Sequence, residues 1–123
     1  MVTAKVGGQE ISLYLGMKAV NAITAEYGSL RGLMETLSSE NEAAQNEATF
    51  FVAFQLHKNA ALLEKKEAVF DDADEMEASC HFTEWMPLFG AVCRAIKEDT
   101  AMTIEADVVV GESKNALATQ GTE

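Results

Sequence analysis

Proline occurs once, at Pro87, and cysteine twice, at Cys80 and Cys93. A single proline leaves long stretches free to form uninterrupted helix, since an interior proline removes a hydrogen bond and clashes with the preceding turn. The N-terminus, MVTAKVGGQE, lacks the apolar core of a signal peptide, so both cysteines are expected to be reduced, buried thiols. No apolar run approaches the roughly 20 residues of a membrane-spanning helix. Basic residues are scarce too: nine Lys and Arg stand against twenty Asp and Glu, for a net charge of −11. Phosphate backbones and anionic lipids repel such a chain, which argues against nucleic-acid and membrane partners. An acidic surface serves solubility alone, or suits a basic or amphipathic protein partner.

What is plentiful is Ala, Glu, Leu, Met and Lys, residues that lose little side-chain entropy in a helix. The 123 residues form one domain with one modest core. Strand character is confined to the start. Val2, Ala4 and Val6, then Ile11, Leu13 and Leu15, alternate on either side of Gly7-Gly8. Period-two patterning around a glycine pair predicts a β-hairpin. A helix is expected from about Gly16 to Tyr27, with Met17, Val20, Ile23 and Tyr27 as its apolar stripe and Gly28 ending it. Ser29 then caps a short helix carrying Leu30, Leu33, Met34 and Leu37.

The segment SSENE at 38–42 leads to a third helix, expected from about Glu42 to Lys58 and strongly apolar in its second half. Asn59 is read as a break, Ala60 to Val69 as another helical stretch, and Asp71, Asp72 and Asp74 as a polar turn. A last helix is expected from Thr83, as cap, to Glu98, with Trp85, Leu88, Phe89, Val92 and Ile96 facing the core. Met102, Ile104, Ala106, Val108 and Val110 alternate again, either as a third strand pairing with the hairpin or as an extended arm. Residues 111–123 have no apolar period and are expected to be a disordered tail. The fold class is therefore α+β: mainly helical, with an N-terminal hairpin and a candidate C-terminal strand, in one domain over 1–110.

No chemistry-bearing constellation rises above background. His57, Cys80, His81 and Cys93 lack the two close pairs of a zinc site. The segment DDADEMEAS at 71–79 lacks the glycine and ligand register of a calcium loop. Gly7-Gly8 lacks the lysine and helix start of a phosphate loop. No metal, cofactor or catalytic residue is expected, and the chain is read as a non-enzyme.

Partner binding remains. Phe50, Phe51 and Phe54 cover more than one face of their helix, and Trp85, Met86, Leu88 and Phe89 do the same. These two clusters either pack on each other or leave an apolar patch for self-association or a helical client. Phe50, Phe51, Phe54, Trp85, Met86 and Phe89 are the candidate binding residues.

The order of elements carries a resemblance. A hairpin of the form V-x-G-x-x-I-x-L-x-L, from Val6 to Leu15, leads into GMKAVNAITAEYGSL. That helix ends in the glutamate-aromatic-glycine turn Glu26-Tyr27-Gly28, and RGLMETL and the apolar ATFFVAFQLHKNAAL follow. Over about residues 2–60 this is similar to the tail assembly chaperones of long-tailed bacteriophages and related prophages. The resemblance implies a non-enzymatic, oligomer-forming protein of the host cytoplasm. It implies binding to the tape measure protein, with the tail tube protein as a further partner, and departure from the tail before the particle is complete. The rival expectation is a minor tail component or adaptor retained in the particle.

Overall fold

The computed structural model of the protein describes residues 1–100; the candidate strand at 102–110 and the expected tail at 111–123 lie outside the described residues. Among those described, the strands β1 (Val2–Val6) and β2 (Gln9–Leu13) pair antiparallel, Val2 opposite Leu13 and Val6 opposite Gln9. The turn between them places Gly7 at φ 62° and Gly8 at φ 80°, the two successive positive values that a tight hairpin loop of this kind requires. Five helices follow: α1 (Met17–Tyr27), α2 (Leu30–Leu37), α3 (Glu42–Glu64), α4 (Ala73–Ser79) and α5 (Trp85–Thr100). A single 3-10 turn, Phe82–Glu84, leads directly into α5. The fold is α+β and mainly helical.

The hydrophobic core is built on α3. Ala48, Val52, Ala53, Leu56 and Ala60 on this helix are fully enclosed, while Phe50 and Phe54 retain only 7 % of their surface. Around it close Val6, Ile11 and Leu13 of the hairpin, Ile23 of α1, Leu33 and Leu37 of α2, and Leu88, Phe89, Val92 and Ile96 of α5. One face of the hairpin is buried and the other exposed, as its period-two pattern predicts.

Three helix boundaries differ from the sequence expectation. Asn59 does not break α3, which runs on to Glu64 and stops where Lys65 adopts a left-handed conformation at φ 59°. The expected helix over Ala60–Val69 therefore ends early. Asn59 has a different role: its Oδ1 accepts the Ala19 N–H at 2.9 Å. Ala19 is the third residue of α1, and the N-cap of that helix, Gly16, has no side chain to serve it. Asn59 thus supplies from α3 the capping bond that α1 cannot make locally.

The acidic run at 71–77 is a helix rather than a turn. Asp72 caps α4 through the Glu75 N–H at 2.8 Å, and the Glu75 carboxylate reaches back to the Asp71 N–H. Met76, wholly buried, anchors this short helix to the core.

Thr83 is exposed inside the 3-10 turn and does not cap α5. The α1 stripe is also rotated from expectation. Ala19 and Ile23 are buried, Val20 and Tyr27 half-buried, and Met17 remains 69 % exposed.

Candidate functional site

The two aromatic clusters meet. Phe50 stacks on Trp85 with ring centroids 6.1 Å apart, and Trp85 packs edge-on against Phe89 at 5.4 Å. Phe89 is fully enclosed, and Phe50 and Phe54 nearly so. Phe51 is half-buried and packs edge-on against Tyr27 at 5.8 Å, while the Lys58 ammonium lies 5.4 Å from the centre of the Phe54 ring. Of the six candidate binding residues, Phe50, Phe54 and Phe89 are thus core, Phe51 and Trp85 reach the surface in part, and Met86 is exposed.

The residue that sequence reasoning missed is Phe82. It is 90 % exposed, one helical turn before Met86, which is 49 % exposed. Thr83 and Pro87 are exposed beside them. The 3-10 turn runs straight into α5, so positions 82, 83, 86 and 87 lie along one side of a continuous helical segment. They form an uncharged strip, three of whose four residues are apolar. Periodicity could not single out Phe82, because it precedes the α5 stripe and belongs to no apolar period of its own.

The strip is held in place by Glu84. Its carboxylate accepts three backbone N–H bonds: Gly7 at 2.7 Å, Gly8 at 2.9 Å and His81 at 2.8 Å. Partial burial alone would raise the pKa of this carboxyl. The His81, Gly8 and Gly7 N–H donors, with the nearby His81 ring, outweigh it and hold the pKa below the ordinary glutamate value. The tip of the hairpin, the start of α5 and the end of α4 therefore converge. A β-carbon on Gly7 would lie 3.0 Å from the Ser79 carbonyl oxygen at the last residue of α4.

The surroundings are acidic. Between Lys66 and Arg94 the chain has no Lys or Arg, and it carries Glu67, Asp71, Asp72, Asp74, Glu75, Glu77 and Glu84. The five acids at 71–77 are all exposed.

A second feature is a partly open cleft of about 90 Å³ lined by Glu10, Ser12, His57, Glu64, Lys66 and Glu67, among others. It has room for about three water molecules. The Val69 N–H donates to His57 Nε2 at 2.8 Å, so the neutral ring carries its proton on Nδ1. Nδ1 is buried and makes no hydrogen bond of proper geometry. Burial lowers the His57 pKa, opposed more weakly by the Ser12 backbone and the Glu64 carboxylate. The same bond ties the chain after α3 back onto that helix, where His57 also packs edge-on against Phe70 at 6.2 Å.

Cys93 lies in the core. Cys80 is half-buried, and its thiol donates to the His81 carbonyl at 3.5 Å. Burial, followed by the Glu84 charge, pushes the Cys80 pKa up, which is unfavourable to a nucleophilic thiolate. Among the described residues, no group of three or more His, Cys, Asp or Glu side chains is arranged to hold a metal ion. Among them, too, no helix is long and apolar enough to cross a membrane.

No protein-family model, curated protein or solved structure matches the chain.

Proposed function

We propose that this protein is a tail assembly chaperone of a long-tailed bacteriophage or prophage, acting in the host cytoplasm. On this reading it is a non-enzymatic binding protein that holds the tape measure protein soluble until the tail tube assembles around it, and then leaves. The tail tube protein is a second contact, and several copies bind along one long client. Avidity among such copies compensates for weak single contacts.

The observation that carries the reading is the run of elements from Val6 to Leu62. A hairpin enters a helix ending in Glu26-Tyr27-Gly28, a short capped helix follows, and then a long apolar helix. That order is the one in which the sequence resembles the family. The physical character of the surface agrees with the role. A net charge of −11 keeps a chaperone and an amphipathic client dispersed. Exposed Phe82 and Met86 offer apolar contact that the domain itself does not use.

The experiment that tests the reading compares purified particles with the lysate that produced them, by quantitative mass spectrometry. A chaperone is abundant in the lysate and absent from the particle. A constant number of copies per particle would instead establish a retained tail component.

A further inference from the structure

We propose that the exposed strip Phe82, Thr83, Met86 and Pro87, flanked by the acidic helix α4, is a docking surface for a cationic amphipathic segment of another protein. The inference does not depend on the identity of the client proposed above. It rests on two features that coincide in space.

The first is apolar exposure that folding does not require. Trp85, between the strip residues, already satisfies the core through Phe50 and Phe89. Phe82 at 90 % exposure adds nothing to that packing. A single exposed aliphatic residue is ordinary, but a phenylalanine and a methionine one turn apart, beside an exposed proline, make a continuous apolar ridge. The ridge is rigid as well. Glu84, in the same turn as Phe82 and Thr83, is bound to three backbone N–H groups, two of them on the hairpin tip. A preorganised contact loses less entropy on binding than a floppy one.

The second feature selects the occupant. The seven acids from Glu67 to Glu84 have no Lys or Arg among them. The end of α4 lies against the hairpin tip that Glu84 grips. Within the 7-residue α4, the exposed acids lie no more than roughly 10 Å along the helix axis from that end. A second copy of this chain would bring the same unneutralised acids to the same place and be repelled. A segment whose apolar side chains seat on Phe82 and Met86, with Lys or Arg on either side, satisfies both features. An amphipathic helix presents such apolar anchors at i, i+3 and i+4.

Trp85 is the only tryptophan in the chain and borders the strip, so its emission reports docking directly. The probe is a synthetic helical peptide of lysine and leucine, with leucines at i, i+3 and i+4. A control peptide replaces each leucine by serine at unchanged charge. We expect saturable binding of the leucine peptide that weakens with added salt, and little binding of the serine peptide. The double substitution F82S/M86S is expected to weaken the leucine peptide at least about tenfold, as loss of a central apolar anchor does. Met17→Ser, also solvent-facing but on α1, is expected to leave it unchanged. Since Phe82 and Met86 are exposed, the thermal midpoint of the double variant should match that of the parent.

The proposal is overturned if the leucine peptide does not bind, if both peptides bind alike, or if F82S/M86S binds as tightly as the parent. It is also overturned if light scattering shows that F82S/M86S dissociates an oligomer, which would make the strip a contact between copies of this chain.

Discussion

The Gly7 N–H donates to the Glu84 carboxylate at 2.7 Å across 77 residues of sequence. That bond, with its neighbours from Gly8 and His81, joins the first turn of the chain to the start of its last helix. The relationship explains why a turn with no side chains of its own can be fixed in place. The donors are backbone, and the acceptor is a charge brought by a distant element. Glu84→Ala should lower stability on the order of 1 kcal/mol, the scale of a charge-assisted bond discounted for its access to solvent. Because the carboxyl's pKa is lowered in the folded state, its contribution is complete above the ordinary value of 4.5. It is lost as pH falls through the lower folded value. Urea unfolding at pH 7 and at pH 3 should therefore show a clear difference between parent and Glu84→Ala at pH 7, and a much smaller one in acid.

Asn59 should behave as a helix cap although it lies inside α3. Asn59→Ala is expected to cost about 1 kcal/mol, in the range of lost N-cap bonds. Asn59→Asp keeps the acceptor and should retain most of it. Gly16→Ala is expected to be damaging for the same reason. Its β-carbon would stand 2.8 Å from both Asn59 amide atoms and from the Tyr14 ring, forcing Asn59 off Ala19. Chemical denaturation of the three variants provides the comparison, and equal midpoints for Asn59→Ala and the parent would remove the capping role.

Lys65 ends α3 at φ 59°, where a β-carbon is unfavourable. Lys65→Gly should stabilise the protein by about 0.5–1 kcal/mol, opposite to the usual sign for glycine substitutions. A thermal melt is sufficient to read the direction.

His57 makes stability depend on mildly acidic pH. Its folded-state pKa lies below the ordinary 6.5, chiefly through burial. The folded state therefore binds its proton less readily than the unfolded state. Stability is complete above about 6.5 and declines as pH falls from there toward the folded value. Protonation also removes the Nε2 lone pair that accepts the Val69 N–H. Melts at pH 7.5 and 5.5 should show a larger drop for the parent than for His57→Gln. An identical drop in both would assign the pH dependence elsewhere.

The aromatic residues should separate into two classes. Phe89→Ala removes a fully enclosed ring and is expected to cost about 3–5 kcal/mol. Phe82→Ala removes an exposed one and should change stability by less than about 0.5 kcal/mol. Equilibrium unfolding of the two variants checks both values.

The legible part of the fold is the part governed by local pattern. Alternation around Gly7-Gly8 located the hairpin, and Ser29 marked α2, where its hydroxyl accepts the Gly32 N–H at 2.9 Å. What was illegible depends on distant partners. Asn59 looks like a helix break until the N–H it accepts is seen at Ala19, 40 residues away. The acids at 71–77 look like a solvated turn because a helix this short has one core anchor, Met76, and one apolar residue makes no period. The rotation of α1 came from Ala19, whose small side chain gives a weak hydrophobic signal yet is buried. At the candidate site, Met86 was legible as surplus apolar surface and Phe82 was not. Its exposure follows from the 3-10 turn and the Glu84 lock, neither of which leaves a local pattern.

The most direct test of the chaperone reading is co-expression with the tape measure protein of the same genome, followed by size-exclusion chromatography with light scattering. The reading predicts that a client insoluble on its own becomes soluble in a complex with several copies of this chain. A client that stays insoluble, while this chain elutes alone, would contradict it.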